Sequence, residues 1–134
     1  MPRDLVEFPE IGVQPQVPAL LPIGHRRLLR LAEFLETVPP EQFDMSSWIS
    51  ECGTAACAAG WAARIPEFNA AGYRCDAWSG PRFGGESLFG ALRLFFGLSS
   101  SEQSEYIFGY KHYLRTPRDE AYIIREFVAA RRST

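Results

Sequence analysis

The stretch Cys52-Gly53-Thr54-Ala55-Ala56-Cys57-Ala58-Ala59-Gly60-Trp61-Ala62-Ala63 has almost no side-chain bulk, interrupted by one indole. Small side chains let other elements approach the backbone closely, and the ring then fills a large volume. Alanine favours helix, Thr54 is a good N-cap, and Gly53 lets the chain turn sharply into it. The stretch therefore predicts a helix from Thr54 to Ile65, closed by Pro66, at the centre of a small helical domain. Glycine inside a helix costs about 1 kcal/mol relative to alanine, so Gly60 predicts a close neighbour. Gly53, Ala56, Cys57 and Gly60 share one face, where a second helix is expected to cross. Thr54, Ala58, Trp61 and Ile65 form the adjoining face, with the Trp61 ring in the core.

Working outward, Leu28, Leu31, Leu35 and Val38 recur at helical spacing with Phe34 beside them, predicting a helix over 23–38 that Pro39-Pro40 ends. Phe43 and Trp48 are expected to point inward from the loop that follows. On the other side, Tyr73 to Trp78 and Arg82-Phe83 flank the turn signal Ser79-Gly80-Pro81, which suggests a small hairpin near 73–83. Leu88, Leu92 and Phe95 place a helix over 86–96 with Gly97 just past its end. Ser99 and Glu102 read as the capping box of a short helix ending at Gly109. Thr116, Pro117, Asp119 and Glu120 open a last helix that buries Ile123, Ile124, Phe127 and Val128 and runs to about Arg131. The fold class is mainly α: one compact domain of about five helices over 23–134. Residues 1–22 precede it as a proline-rich, extended arm, with Pro2, Pro9, Pro15, Pro18 and Pro22 among apolar side chains.

The 134 residues suit one domain, 46% of them are apolar, and the formal net charge is −2. That balance does not call for nucleic acid or an anionic membrane as partner. Cys52, Cys57 and Cys75 are an odd set, which reads as buried, reduced thiols in a cytoplasmic protein. No run approaches the roughly 18 apolar residues of a membrane span, and the first residues do not read as a signal peptide.

Three pieces stand together: Leu28-Leu29-Arg30-Leu31-Ala32 with Val38-Pro39-Pro40-Glu41-Gln42-Phe43-Asp44-Met45, the Cys52–Ala62 core, and Phe95-Phe96-Gly97-Leu98. The combination resembles a group of small hypothetical proteins of bacterial genomes, phages and prophages. They carry a Cys-Gly-Thr-x-x-Cys-x-x-Gly-(His or Trp)-Ala core and a later Phe-Phe-Gly-(Leu or Ile). The resemblance spans roughly residues 26–128 and implies no catalytic residue. What it implies is a small interaction protein, one that inhibits or modulates a host system such as a defence system.

The residues offer several chemistries. Cys52, just before the expected helix start, is the candidate nucleophile of a cysteine hydrolase, with His112 or His25 as its base. The same thiol is equally at home as a small buried group at a tight helix start, and that reading is preferred. Cys52 and Cys57 lack the short knuckle spacing of a structural zinc site, so no metal or cofactor is expected. Asp44, Glu51 and Asp76 read as capping and loop residues. Lys111, Arg115, Arg118, Arg131 and Arg132, with aromatics among them, form a basic end suited to nucleic acid, the alternative function. Another protein is the favoured partner, with Phe8, Ile11 and Val13 of the arm and Tyr106, Tyr110 and Tyr113 as contact candidates.

Overall fold

A computed structural model of the chain describes residues 21–50 and 55–132. These form six α-helices, two short 3-10 turns and a three-stranded antiparallel sheet. The mainly α class holds, but the architecture is not a five-helix bundle. Helix α1, Ile23–Leu35, buries Leu28, Leu31, Ala32 and Leu35 on one stripe. It packs along the last helix, α6, Pro117–Arg132. Thr116 caps α6 as expected: its hydroxyl accepts from the Asp119 amide at 3.0 Å, and the Asp119 carboxylate accepts from the Thr116 amide at 2.9 Å.

The decisive stretch behaves differently from its composition. Helix α2 covers Ala58–Ala62, five residues rather than twelve, with Cys57 in the N-cap position. Residues 55–57 are extended instead. Ala56 bridges Phe43 on one side and Ile49 on the other. The Ala56 amide donates to Gln42 and its carbonyl accepts from Asp44, while the Cys57 amide donates to the Ser47 carbonyl at 2.9 Å. Tertiary partners thus supply the backbone with bonds that a helix would otherwise provide. Gly60 does have a close neighbour, but it is no helix: a Cβ there would collide with the Trp48 carbonyl oxygen.

Pro66 does not merely close a helix. It takes the first position of α3, Pro66–Ala70, whose Phe68 is buried. Trp61 is half-buried at the rim rather than central; its indole N–H donates to the Gln42 carbonyl at 2.9 Å and its ring tilts against Phe34. The hairpin is present as β1, Arg74–Asp76, and β2, Gly80–Phe83, with Arg74 opposite Arg82. A third strand, β3, Glu86–Ser87, pairs with β2 where a helix start was expected. Helix α4, Leu88–Phe96, follows, and Gly97 ends it at φ 64°, a left-handed position that suits glycine. Helix α5, Ser101–Phe108, is capped by Ser100, one residue later than expected, whose hydroxyl accepts from the Gln103 amide.

Helix α4 lies against α1, α5 and the sheet, so both Phe95 and Phe96 are fully buried. Phe68 meets Phe95 edge-on at 4.9 Å, Phe95 meets Phe96 at 5.0 Å, and Phe96 meets Phe108 at 5.1 Å between centroids. Such pairs add about 0.5–1.5 kcal/mol each beyond area burial. Tyr73 joins them, its hydroxyl donating to the Ala59 carbonyl at 2.7 Å. Gly24 of α1 rests on the α4 terminus, where a Cβ would strike the Phe96 carbonyl and come within 2.7 Å of the Gly97 amide.

Gly24→Ala and Gly60→Ala should each lower stability by about 1–3 kcal/mol in urea melts, because a backbone group cannot move aside as a flexible side chain can. Alanine's better helix propensity offsets part of the cost. An unchanged midpoint in both variants would contradict the close backbone approach.

Candidate protein-binding surface

Residues 45–48 are set by a local turn and by the inserted strand. The Asp44 carboxylate accepts from the Ser46 amide at 2.9 Å and from the Ser46 hydroxyl, while Ser47 accepts from Cys57. This holds Trp48 against Phe89 of α4, edge to face at 5.8 Å. Met45, Trp48, Phe89, Phe108 and Tyr110 then line a cleft of about 200 Å³. Tyr110, 69% exposed, stands at its edge, and Tyr113 and Leu114, 64% and 81% exposed, continue from it along the same turn.

The turn is held from below. Arg115 donates to the Tyr106 carbonyl at 2.8 Å and to the Glu120 carboxylate at 2.8 Å. Its guanidinium also lies 5.4 Å from the Tyr106 ring, which meets His112 edge-on at 6.3 Å. The three tyrosines singled out in the sequence thus share one short segment and are all exposed, Tyr106 at 49%. Phe8, Ile11 and Val13 lie outside the described residues. The sequence reading missed other exposed large apolar side chains among the described residues, Leu114, Tyr122 and Trp78 foremost, the last at 93% exposure. Trp78 was legible, since it sits between Asp76 and a turn signal. Asp76 accepts from the Trp78 and Ser79 amides and from the Ser79 hydroxyl, bonds that hold its pKa below the ordinary carboxylate value.

The basic candidates are scattered in role. Lys111 lies 3.8 Å from Glu105, Arg115 is turned inward onto Glu120, and Arg131 sits 3.5 Å over the Phe127 ring. Arg118 lines a shallow hollow with Glu36, Asp119 and Tyr122. Arg132 ends α6, and its side chain lies outside the described residues.

Cys52 and Glu51 also lie outside the described residues. Cys57 is 1% exposed, and burial pushes its thiol up to about 12. Burial likewise raises Cys75 to about 12. Desolvation lowers the pKa values of His25 and His112, with Arg131 and Arg115 respectively adding repulsion. Among the described residues, no group of three His, Cys, Asp or Glu side chains is placed to hold a metal, and no helix is long and apolar enough to cross a membrane.

Among the described residues, Glu120 is the most perturbed carboxylate. It is fully buried; one oxygen takes the Arg115 bond and the other has no hydrogen-bond partner. Burial outweighs the Arg115 charge and pushes it up to about 8. No family model matches the chain, nor does any curated protein or solved structure.

Folding favours protonated Glu120, since its folded value of about 8 exceeds the roughly 4.3 of an unfolded glutamate. Its contribution is complete below the unfolded value and is lost as pH rises through about 8. The stability of the natural chain relative to Glu120→Gln should therefore decline between pH 5 and 8 in urea melts; a flat difference would contradict the assignment. Separately, iodoacetamide at pH 8 should leave Cys57 unmodified in the folded chain and alkylate it in urea, as read by peptide mass spectrometry. Rapid native labelling would contradict its burial.

Proposed function

We propose that this protein is a non-enzymatic protein-interaction module that uses the Tyr110–Leu114 turn and the adjoining cleft as its contact surface. The observation that carries the reading is the exposure of Tyr110, Tyr113 and Leu114 together beside an apolar cleft. Large apolar side chains left outside the core in one patch mark an interaction site more often than isolated ones do. Tyrosine supplies broad contact area with few torsions to freeze, and the Arg115 bonds fix the turn in advance, which lowers the entropic cost of binding. The resemblance to phage and prophage proteins makes a cytoplasmic host protein the first partner to seek, with inhibition or modulation as the outcome. Nucleic acid remains the alternative, with less behind it: Arg115 and Arg131 are engaged within their own domain.

The test is affinity capture with the natural chain and with Tyr110→Ala/Tyr113→Ala, followed by titration against the purified captured protein. Both side chains are exposed, so stability should change by no more than about 0.5 kcal/mol per site. Binding should weaken by at least about 10-fold, the scale of one interface hot spot. Equal binding by both chains would overturn the assignment of this surface. Salt-sensitive binding of DNA or RNA, lost in Arg118→Glu/Arg131→Glu, would move the function to the alternative.

A further inference from the structure

Among the described residues, no large apolar side chain is more exposed than Trp78. It stands in the turn between β1 and β2, and that turn is tied down. Asp76 accepts from the Trp78 amide at 2.9 Å, from the Ser79 amide at 2.7 Å and from the Ser79 hydroxyl at 2.8 Å. Arg82 lies 3.5 Å from the same carboxylate. An indole projected on a fixed turn loses little conformational freedom on docking, and tryptophan is foremost among the residues that anchor interfaces.

The cleft beside the tyrosine turn suits such an anchor. Its volume of about 200 Å³ exceeds the roughly 150 Å³ of a cavity that takes benzene. It falls below the roughly 300 Å³ at which small-molecule sites begin. A single bicyclic ring is the matching size. Four of the lining residues, Trp48, Phe89, Phe108 and Tyr110, are aromatic, and a further ring extends their edge-to-face contacts. Among the described residues no charged side chain lines the cleft. An ammonium, guanidinium or carboxylate entering it would lose water without gaining a partner. Ser46 and Ser47, also in the lining, offer hydroxyl oxygens to an indole N–H.

Projection and hollow are neighbours on the molecule. A Cβ on Gly80 would come within 3.0 Å of the Trp48 indole, so the start of β2 leans on the wall of the cleft. Trp78 is two residues earlier, and two residues of chain span at most about 7 Å. Its 93% exposure shows that it does not fill the cleft of its own chain. We propose that the cleft receives Trp78 of a second copy, in a two-fold dimer where each chain gives one indole and takes one. A projection and a hollow side by side let one two-fold axis satisfy both. Two indoles and the surfaces they cover amount to on the order of 800 Å². That is below the roughly 1,200 Å² of lasting complexes, so the dimer forms and dissociates with concentration. The inference rests on the reading of the cleft as a contact surface. It makes self-association a competitor of the host partner, because the second copy's indole must leave before another side chain can enter.

Sedimentation velocity on the full chain, from about 10 μM to about 1 mM, tests it. The natural chain should pass from one copy to two across that range. Trp78→Ala removes the projection, and Ser46→Lys puts a charge at the exposed mouth of the cleft. Each should weaken dimerisation by at least about 10-fold, with the urea midpoint retained because both positions are exposed. In a mixture of Met45-methyl-labelled and unlabelled chains, NMR cross-relaxation is expected between the Met45 methyl of one copy and the Trp78 indole of the other. A natural chain that stays monomeric, a dimer that either variant leaves intact, or Met45 cross-peaks found solely within one chain would overturn the proposal. These measurements use this chain alone, so their failure leaves the capture of a host protein standing, and failure of that capture leaves the dimer standing.

Discussion

The fold depends on a backbone insertion: Ala55-Ala56-Cys57 runs extended between residues 42–44 and 47–50, and Gly60 follows immediately beneath the Trp48 carbonyl. At Gly60 even a Cβ would strike the Trp48 carbonyl. Ala56 and Cys57 are buried, so each of their backbone groups must find a partner inside the protein. The Gln42, Asp44 and Ser47 backbones provide three of them, and the Trp61 amide donates to the fourth, the Cys57 carbonyl. Leaving one such group unpaired costs about 1–3 kcal/mol, which makes this junction intolerant of slippage. One turn further on, Ala58, Ala59 and Ala62 are fully buried, and Tyr73 reaches the Ala59 carbonyl. The insertion thus ties the first loop to the helical core and aims Trp48 at Phe89.

The same insertion explains what the sequence conceals. Alanine favours helix by local propensity, yet a few tenths of a kcal/mol per residue are outweighed by the ladder bonds available at 55–57. The closeness of packing was legible from the glycines, because a missing Cβ has one steric meaning wherever it occurs. The identity of the neighbour was not, since a carbonyl and a crossing helix leave the same mark on composition. Residues that carry their own punctuation were read more faithfully. Thr116-Pro117-Arg118-Asp119 opened its helix where expected and Gly97 ended α4; the hairpin formed too, but its turn is Ala77-Trp78-Ser79, and Gly80-Pro81 open β2 rather than turn the chain. Glu86-Ser87 was misplaced because strand pairing with β2 is a long-range fact that two residues cannot advertise.

At the candidate surface, residue type was visible and direction was not. Tyr106, Tyr110 and Tyr113 fit a core rim and an exposed patch equally well on spacing alone. The exposure of Tyr110 and Tyr113 follows from the Gly109 turn, where a Cβ would run into the Glu105 carbonyl, and from the 3-10 geometry of Tyr110–His112; Tyr106 lies on the outer face of α5. Arg115 carried the opposite lesson. Counted as positive charge it belonged to a basic end, but charge counts do not say which guanidinium is 11% exposed and bound to a buried carboxylate.

That buried pair is costly by itself, and its place in the structure accounts for its presence. Removing a carboxylate from water is repaid incompletely by one arginine, which is why Glu120 retains its proton well above the usual range. An apolar pair of similar volume would stabilise the core at least as well. It could not reach the Tyr106 and Ile107 carbonyls at the end of α5, as Arg115 does at 2.8 and 3.4 Å. The guanidinium is therefore a clamp between the first turn of α6 and the segment that displays the tyrosines. Stability spent inside the domain thereby fixes the geometry of residues on its surface, which is what the proposed binding role requires of them.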